Sequence, residues 1–65
     1  MKATYFPDTD TMLLQFSVSE IVETYDLNEN VLVEVDKLGR VVSMTVEHAK
    51  DQMDVSEFSY QRASA

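Results

Sequence analysis

The sequence predicts a small α+β protein that is mostly β: an antiparallel β-meander of four to five strands with a short C-terminal helix. Apolar and polar residues alternate in several short runs, the period expected of half-buried strands. The only glycine, Gly39, separates two of the clearest runs, and apolar spacing of a helical kind occurs only after Glu47. We therefore expect a single domain over residues 1–65, with a sheet at about 2–47, a helical segment at about 48–60 and a frayed tail at 61–65.

The first predicted element is a hairpin. Residues 2–6 are typical of a short extended piece, and "PDTD" after them predicts a tight reversal. Pro7 presets φ for the first turn position, and the carboxylate of Asp10 can accept hydrogen bonds from nearby backbone amides. The run "TMLLQFSV" at 11–18 then predicts a strand, whereas "EIVETYDL" at 20–27 is a weaker strand pattern and "DLNEN" predicts a loop.

The segment "VLVEVDKLGRVVSMTVEHA" predicts a second hairpin, with valines alternating on both sides of "DKLG". This spacing fits a type I turn that starts at Asp36 and is followed by a residue in the left-handed region. Gly39 falls at that position, and glycine adopts this conformation without a Cβ penalty. Asp36 and Gly39 are thus predicted to set the hairpin register, and a slip by one residue would turn each valine to the opposite face.

Beyond the hairpin, Ala49 and Met53 lie one helical turn apart, which predicts a short helix beginning near His48. The run "DVSE" resembles a capping box, with Asp54 as the cap and Glu57 three residues later. We expect a bend or second turn after the helix, carrying three apolar or aromatic side chains: Val55, Phe58 and Tyr60.

The predicted sheet has two apolar faces, and one short helix can cover only one of them. The main face carries Met12, Leu14, Phe16, Val31, Val33, Val35, Val42, Met44 and Val46. An uncovered apolar cluster on the second face indicates a self-association surface, and a symmetric homodimer is the leading explanation. Scattered, partly exposed apolar residues are the alternative. The cluster consists of Leu13, Val22, Leu32 and Val41.

Charge and composition narrow the possible functions. The net charge is -7, spread along the chain, so we expect no direct nucleic-acid binding and an attraction to basic proteins. The chain has no cysteine and no apolar segment of membrane-spanning length, which favours a cytoplasmic protein without membrane attachment. Nothing in the sequence calls for a cofactor.

His48, the single histidine, is the first candidate for general-acid or general-base catalysis, because the histidine side chain ordinarily titrates near neutrality. No cysteine accompanies it, and an ordinary histidine at a strand-to-helix junction is the favoured interpretation. Asp8 and Asp10 could ligate a cation, but the rest of a calcium-binding loop is missing, and stabilisation of the turn is the favoured interpretation. The paired carboxylates of Glu34 and Asp36 fit a solvated edge. We therefore predict no enzyme and no metal site.

The stretches "MKATYFPDTD", "MLLQFS" and "VETYDLNENVLVEVDKLGRVVSMTVEHA" are similar to the small prokaryotic family catalogued as domain of unknown function 2283, over about residues 2–49. That family has a Tyr-Asp-Pro-x-x-Asp start and a Val-Asp-x-Asp-x-x-Gly-Arg-Val-Val-Gly hairpin. This sequence departs from the pattern at Phe6, Glu34 and Ser43. It matches the pattern at Tyr5, Pro7, Asp10, Asp36, Gly39, Arg40, Val41 and Val42.

The resemblance implies a β-meander with a C-terminal helix and no established enzyme activity, and it carries over no functional residues. Some members are thought to be encoded beside small toxin-like proteins, which implies an antitoxin role. One hypothesis is therefore a small acidic interaction protein that neutralises a basic toxin partner, with lasting contacts from Val55, Phe58 and Tyr60. The other is a homo-oligomeric structural or accessory module that has no dedicated toxin partner.

Overall fold

A computed structural model of the protein describes residues 1–64, so the predicted fraying at Ala65 lies outside the described residues. The described chain forms one open antiparallel sheet and a short C-terminal helix, which confirms the predicted fold class. The elements in chain order are β1 (Lys2–Phe6), β2 (Thr11–Gln15), β3 (Glu23–Asn28), β4 (Val31–Val35), β5 (Val41–Glu47) and α1 (Ala49–Gln52).

The strand order is β1-β2-β5-β4-β3, so the sheet combines a β1-β2 hairpin with a β3-β4-β5 meander. A meander running through all five strands would instead place β2 beside β3. The connection between those two strands, residues 16–22, is too long for a tight hairpin and contains no glycine or proline. Pairing β2 with β5 places Met12 opposite Val46 and Leu14 opposite Met44, which buries apolar pairs at the centre of the sheet.

The connection 16–22 passes along one end of the sheet and is held there at both of its ends. The amides of Phe16 and Ser17 donate to the carbonyl oxygen of Val42 at 2.7 and 3.3 Å, and the amide of Val22 donates to that of Val35 at 2.9 Å. Strand β2 therefore ends at Gln15, earlier than the predicted run to residue 18. Val18, the last residue of that predicted run, lies outside the strand and is fully exposed.

The strand register divides the sheet into an inner face, which contacts α1, and an outer face. The inner face carries the predicted main apolar set except Phe16, since Met12 and Val31 both lie opposite Val46, and Leu14 and Val33 both lie opposite Met44. Phe16 was predicted on this face, but it is exposed because the chain leaves β2 after Gln15. Met12, Val46 and Ala49 form the buried cluster. Further side chains packed against this cluster are those of Ala3, Tyr5, Leu14, Val31, Met53 and Val55.

Helix α1 begins one residue after His48, close to the predicted start, and ends at Gln52 after four residues. The capping box predicted at Asp54 does not start a second helix. Its carboxylate instead accepts hydrogen bonds from the amide and hydroxyl of Ser56, two residues on, at 3.0 and 2.6 Å. This local turn satisfies Asp54 without helix formation, and the hydrogen bonds from Ser56 lower the pKa of its carboxyl group.

The β4-β5 hairpin turns as predicted, with Gly39 at φ 80° in the left-handed region. Its amide donates to the carbonyl oxygen of Asp36 at 2.9 Å, and a register shift follows between Glu34 and Val35. The predicted loop "DLNEN" is shorter than expected, because β3 continues to Asn28 through a bulge. The side chain of Asn28 closes the tight turn by accepting from the amide of Asn30 at 2.8 Å.

Candidate interaction surfaces

A hydrogen-bonded junction at Asp10 joins the first turn to α1. Asp10 has a left-handed backbone with φ 53°, and its carbonyl oxygen accepts from the amide of Ala49 at 2.9 Å. Its carboxylate accepts from the amide of Lys50 at 3.2 Å and from the hydroxyl of Tyr5 at 2.7 Å. The hydrogen bond to the Asp10 carboxylate raises the pKa of the Tyr5 hydroxyl. Asp10 therefore supplies a helix cap from a distant turn.

His48 lies beside this junction and also has a left-handed backbone, with φ 54°. One of its ring nitrogens, Nδ1, is 2.9 Å from Oδ1 of Asn30 in the β3-β4 turn. The carbonyl oxygen of Asn30 accepts from the amide of Glu47 at 2.7 Å. These contacts hold the end of β5 to the neighbouring turn, and they place His48 in a structural position at the strand-to-helix junction.

Asp36 organises the β4-β5 turn through a set of hydrogen bonds. Its carboxylate accepts from the amides of Leu38 and Arg40 at 2.9 and 3.0 Å and forms an ion pair with Nε of Arg40 at 3.1 Å. The backbone hydrogen bond from Arg40, together with that from Leu38 and the contact with the guanidinium group, lowers the pKa of the Asp36 carboxyl group. The predicted turn role of Asp36 thus has a structural basis in its buried carboxylate.

The outer face carries the residues predicted for self-association, but it does not bring all four together. Leu13 and Leu32 lie on either side of Thr45, and both are half-buried. Val41 is exposed at the start of β5. Val22 is exposed outside the strands, in a groove at the far end of the sheet where the 16–22 connection meets the β4-β5 turn. The compact apolar part of this face is therefore the pair Leu13 and Leu32.

Carboxylates surround Leu32 on this outer face. A shallow groove of about 100 Å³ has Leu32 and Thr45 in its lining together with Asp26, Glu29 and Glu47. That volume suits one or two side chains of a partner better than a small-molecule ligand, whose pockets measure about 300 Å³ or more. Sequence reasoning did not single out these three carboxylates, because Glu47 is distant in sequence from Asp26 and Glu29 and only the strand pairing brings it to their groove.

Glu34 adds a further carboxylate to the outer face, and its side chain accepts a hydrogen bond from the hydroxyl of Ser43 at 2.7 Å. Glu34 and Asp36, predicted to share a solvated edge, have different surroundings, because Asp36 is buried in its turn and Glu34 is half-buried. Among residues 1–64, no group of three or more His, Asp or Glu side chains is arranged to hold a metal ion. No helix in the described part of the chain is long and apolar enough to cross a membrane.

The inner face is only partly covered, because α1 is so short. Val55 is half-buried and packs against the core cluster, whereas Phe58 and Tyr60 are exposed. Residues 57–62 follow the last turn without secondary structure. The structure thus separates the three residues predicted to contact a partner: Val55 stabilises the core, and the two aromatic side chains are open to solvent.

A family model described as protein of unknown function (DUF2283) matches residues 2–50, which is most of the chain. The chain belongs to the DUF2283 family. The part matched to DUF2283 contains all five strands, the Asp10 junction and the Gly39 turn, whereas Phe58 and Tyr60 lie beyond it. No curated protein and no solved structure gives a significant match.

Proposed function

We propose that this protein is a small acidic interaction protein that acts by binding a basic protein, and that it is not an enzyme. The observation that carries the proposal is the outer face, where the half-buried Leu32 lies among the carboxylates of Asp26, Glu29 and Glu47. An apolar centre bordered by charge is typical of a protein-binding surface, because the centre excludes water and the border selects the partner.

The negative charge of the outer face favours a basic protein over a second copy of this chain as its binding partner. If two copies packed these faces together, the carboxylates around Leu32 and that of Glu34 would approach one another across the interface. Like charges in such an interface disfavour association. A basic partner avoids this repulsion, and the stem of a lysine or arginine can lie on Leu32 while its charged end reaches Asp26 or Glu47.

Carboxylates outside the groove also attract a basic partner. The chain carries twelve acidic and five basic residues, and within residues 1–64 the structure shows a single ion pair, Arg40 with Asp36. The remaining negative charge therefore raises the rate at which a positively charged partner is encountered. A partner with a basic, anion-binding cleft, such as a ribonuclease-type toxin, would be inhibited when this protein covers that cleft. This is the antitoxin-like role in its most specific form.

The experiment uses a matched pair of charge variants. The face variant combines Asp26→Asn, Glu29→Gln and Glu47→Gln, and the control variant combines Asp8→Asn, Glu20→Gln and Asp51→Asn. Both lose three negative charges at exposed positions. A ¹⁵N-labelled sample of each is titrated with a deca-arginine peptide at low salt.

We expect the wild type and the control variant to show amide shifts centred on Leu32 and Thr45, and the face variant to lose them. Capture from a lysate of the host should then retain the same small basic protein with the first two samples, and high salt should release it. Equal shifts in both variants, or shifts spread evenly over the sheet, would show that the outer face is not the binding surface.

A second candidate is the homo-oligomeric module, and the exposed aromatic residues favour it. Phe58 is 57% and Tyr60 74% exposed. Contact of these aromatic surfaces with water is unfavourable, and self-association would bury them. The two candidates use different surfaces. Sedimentation equilibrium of the face variant distinguishes them, since self-association through the aromatic residues would persist when the outer-face carboxylates are removed.

A further inference from the structure

Strand β3 is an open edge of the sheet. It pairs with β4 on one side only, and all six of its residues are exposed. An edge strand presents unpaired backbone N–H and C=O groups to solvent, which makes it a template for another strand. Tyr25 and Leu27 are exposed along this edge, at 51% and 65%. Nothing in the described chain covers this edge.

The segment 57–62, "EFSYQR", has the pattern of a strand without a partner. Phe58, Tyr60 and Arg62 alternate with Glu57, Ser59 and Gln61, so one side of an extended chain would be aromatic and end in a positive charge. Six extended residues span about 20 Å, which matches the six residues of β3. The segment is exposed and forms no secondary structure within one copy.

We propose that residues 57–62 of a second copy add to the β3 edge as an antiparallel sixth strand, and that the exchange is reciprocal. In one register Arg62 lies opposite Glu23 and Tyr60 opposite Tyr25, on the inner side of the sheet. Phe58 then lies beside Leu27 at the bulge. Opposite charges and aromatic rings in directly opposed positions each stabilise an antiparallel pair. Addition of a strand to an open edge is a common mode of recognition.

The same register avoids like charges on the other side of the sheet. Asp26 lies opposite Ser59, and Thr24 lies opposite Gln61. Glu23 already accepts a hydrogen bond from the hydroxyl of Tyr25, but a carboxylate has room for a guanidinium group as well. The other open edge, β1, is a poorer choice because it carries Lys2 and no carboxylate to receive Arg62.

Residues 57–62 are too close to Val55 in the chain to reach the β3 edge of their own copy, so the added strand comes from a second copy. Val55 packs against the core cluster, whose strand residues are Met12 on β2 and Val46 on β5, three and two strands away from β3. A sixth strand beyond β3 would lie about 14 Å from β5, at about 4.8 Å per strand. Phe58 is three residues after Val55 and can reach only about 10 Å from it. Reciprocal exchange between two copies gives a closed dimer with the same contact made twice.

Charge exchange between Glu23 and Arg62 provides the test. The full-length variants Arg62→Glu and Glu23→Arg are each studied alone and mixed in equal amounts by sedimentation equilibrium. Circular dichroism checks that each variant is folded. Alone, each variant places like charges together at both contacts, and we expect the dimer to weaken by about tenfold for each contact. Mixed, the two chains restore opposite charges at both contacts, so a heterodimer should form with affinity near that of the wild type.

The control pair is Lys2→Glu and Asp8→Arg, which make the same changes in net charge at exposed positions on and next to β1, at the opposite edge of the sheet. Each control variant should dimerise as the wild type does, alone or mixed. The proposal is overturned if the wild type is monomeric up to millimolar concentration, or if the folded Arg62→Glu and Glu23→Arg chains fail to combine. Equal weakening by the control pair would also overturn it, because net charge would then explain the loss.

Discussion

The carboxylate of Asp10 accepts a hydrogen bond from the backbone amide of Lys50, forty residues later in the chain. The same carboxylate accepts from the hydroxyl of Tyr5, and the carbonyl oxygen of Asp10 accepts from the amide of Ala49. One turn residue therefore fixes where α1 begins. The position of α1 in turn decides which part of the inner face is covered.

Asp10→Ala should lower the free energy of unfolding by about 1–3 kcal/mol, because the variant leaves the amide of Lys50 and the hydroxyl of Tyr5 without their acceptor. Urea denaturation at pH 7 measures the change. Asp8→Ala, at an exposed position of the same turn, is the control and should change stability little. Equal effects of the two substitutions would show that the junction contributes nothing beyond turn charge.

Gly39→Val should lower the free energy of unfolding by about 1–3 kcal/mol, because a β-branched residue is strained at φ 80°. No heavy atom lies within 4 Å of a Cβ built at this position, so the loss arises from backbone conformation and not from a clash. Gly39→Asn is the matched variant, since asparagine tolerates the left-handed region better. Thermal melts should rank the wild type above Gly39→Asn and Gly39→Asn above Gly39→Val; an unchanged melt for Gly39→Val would contradict the turn assignment.

Asp36→Asn should lower the free energy of unfolding at neutral pH but not at acidic pH. The pKa of the Asp36 carboxyl group is lowered in the folded protein, first by the backbone hydrogen bond from Arg40, so the ionised carboxylate stabilises the fold at pH values above the ordinary pKa of aspartate. This contribution is lost as the pH falls through the lowered folded pKa. Urea midpoints of wild type and variant should differ at pH 7 and converge towards pH 2.

The exposed Asp51→Asn is the control for that comparison, because it makes the same charge change away from the turn. Its urea midpoint should stay near that of the wild type at both pH values. A difference between wild type and Asp36→Asn that is the same at pH 7 and pH 2 would mean that ionisation of Asp36 does not stabilise the hairpin.

Met12→Ala and Leu13→Ala compare the two faces of one strand. Met12 is 5% exposed within the core cluster, and its truncation should lower the free energy of unfolding by about 2–5 kcal/mol. Leu13 is half-buried on the outer face, and we expect a loss of about 1 kcal/mol for its truncation. Denaturant titration of both variants measures the difference. Similar losses would indicate that the outer face is also covered in solution, as by a bound second copy.

Local features of the fold could be predicted from the sequence because they depend on neighbouring residues. The alternation around Met12 and Val33 assigned the inner face, since successive strand residues point to opposite sides. The glycine at position 39 predicted the left-handed turn position for a similarly local reason. The matched DUF2283 region agrees with the resemblance seen in the hairpin.

The candidate surfaces were harder to predict, because they depend on which strands are neighbours. Leu13 and Leu32 were assigned correctly to one face, but their common neighbour Thr45 and the acidic groove follow from β5 lying between β2 and β4. Alternation specifies the face of a residue and not the partner of a strand. The local sequence also contained no signal for the bond between Asp10 and Lys50.

By itself, the sequence determined the strands, the turn at Gly39, the two faces and the strong negative charge, since each follows from short-range stereochemistry or composition. The tertiary structure decided the pairing of β2 with β5, the start of α1 at the Asp10 junction and the open β3 edge. These features arise from packing and hydrogen bonds between residues far apart in the chain. The burial of Met12 against Val46 and Ala49 joins β2, β5 and α1, which are separate in the chain.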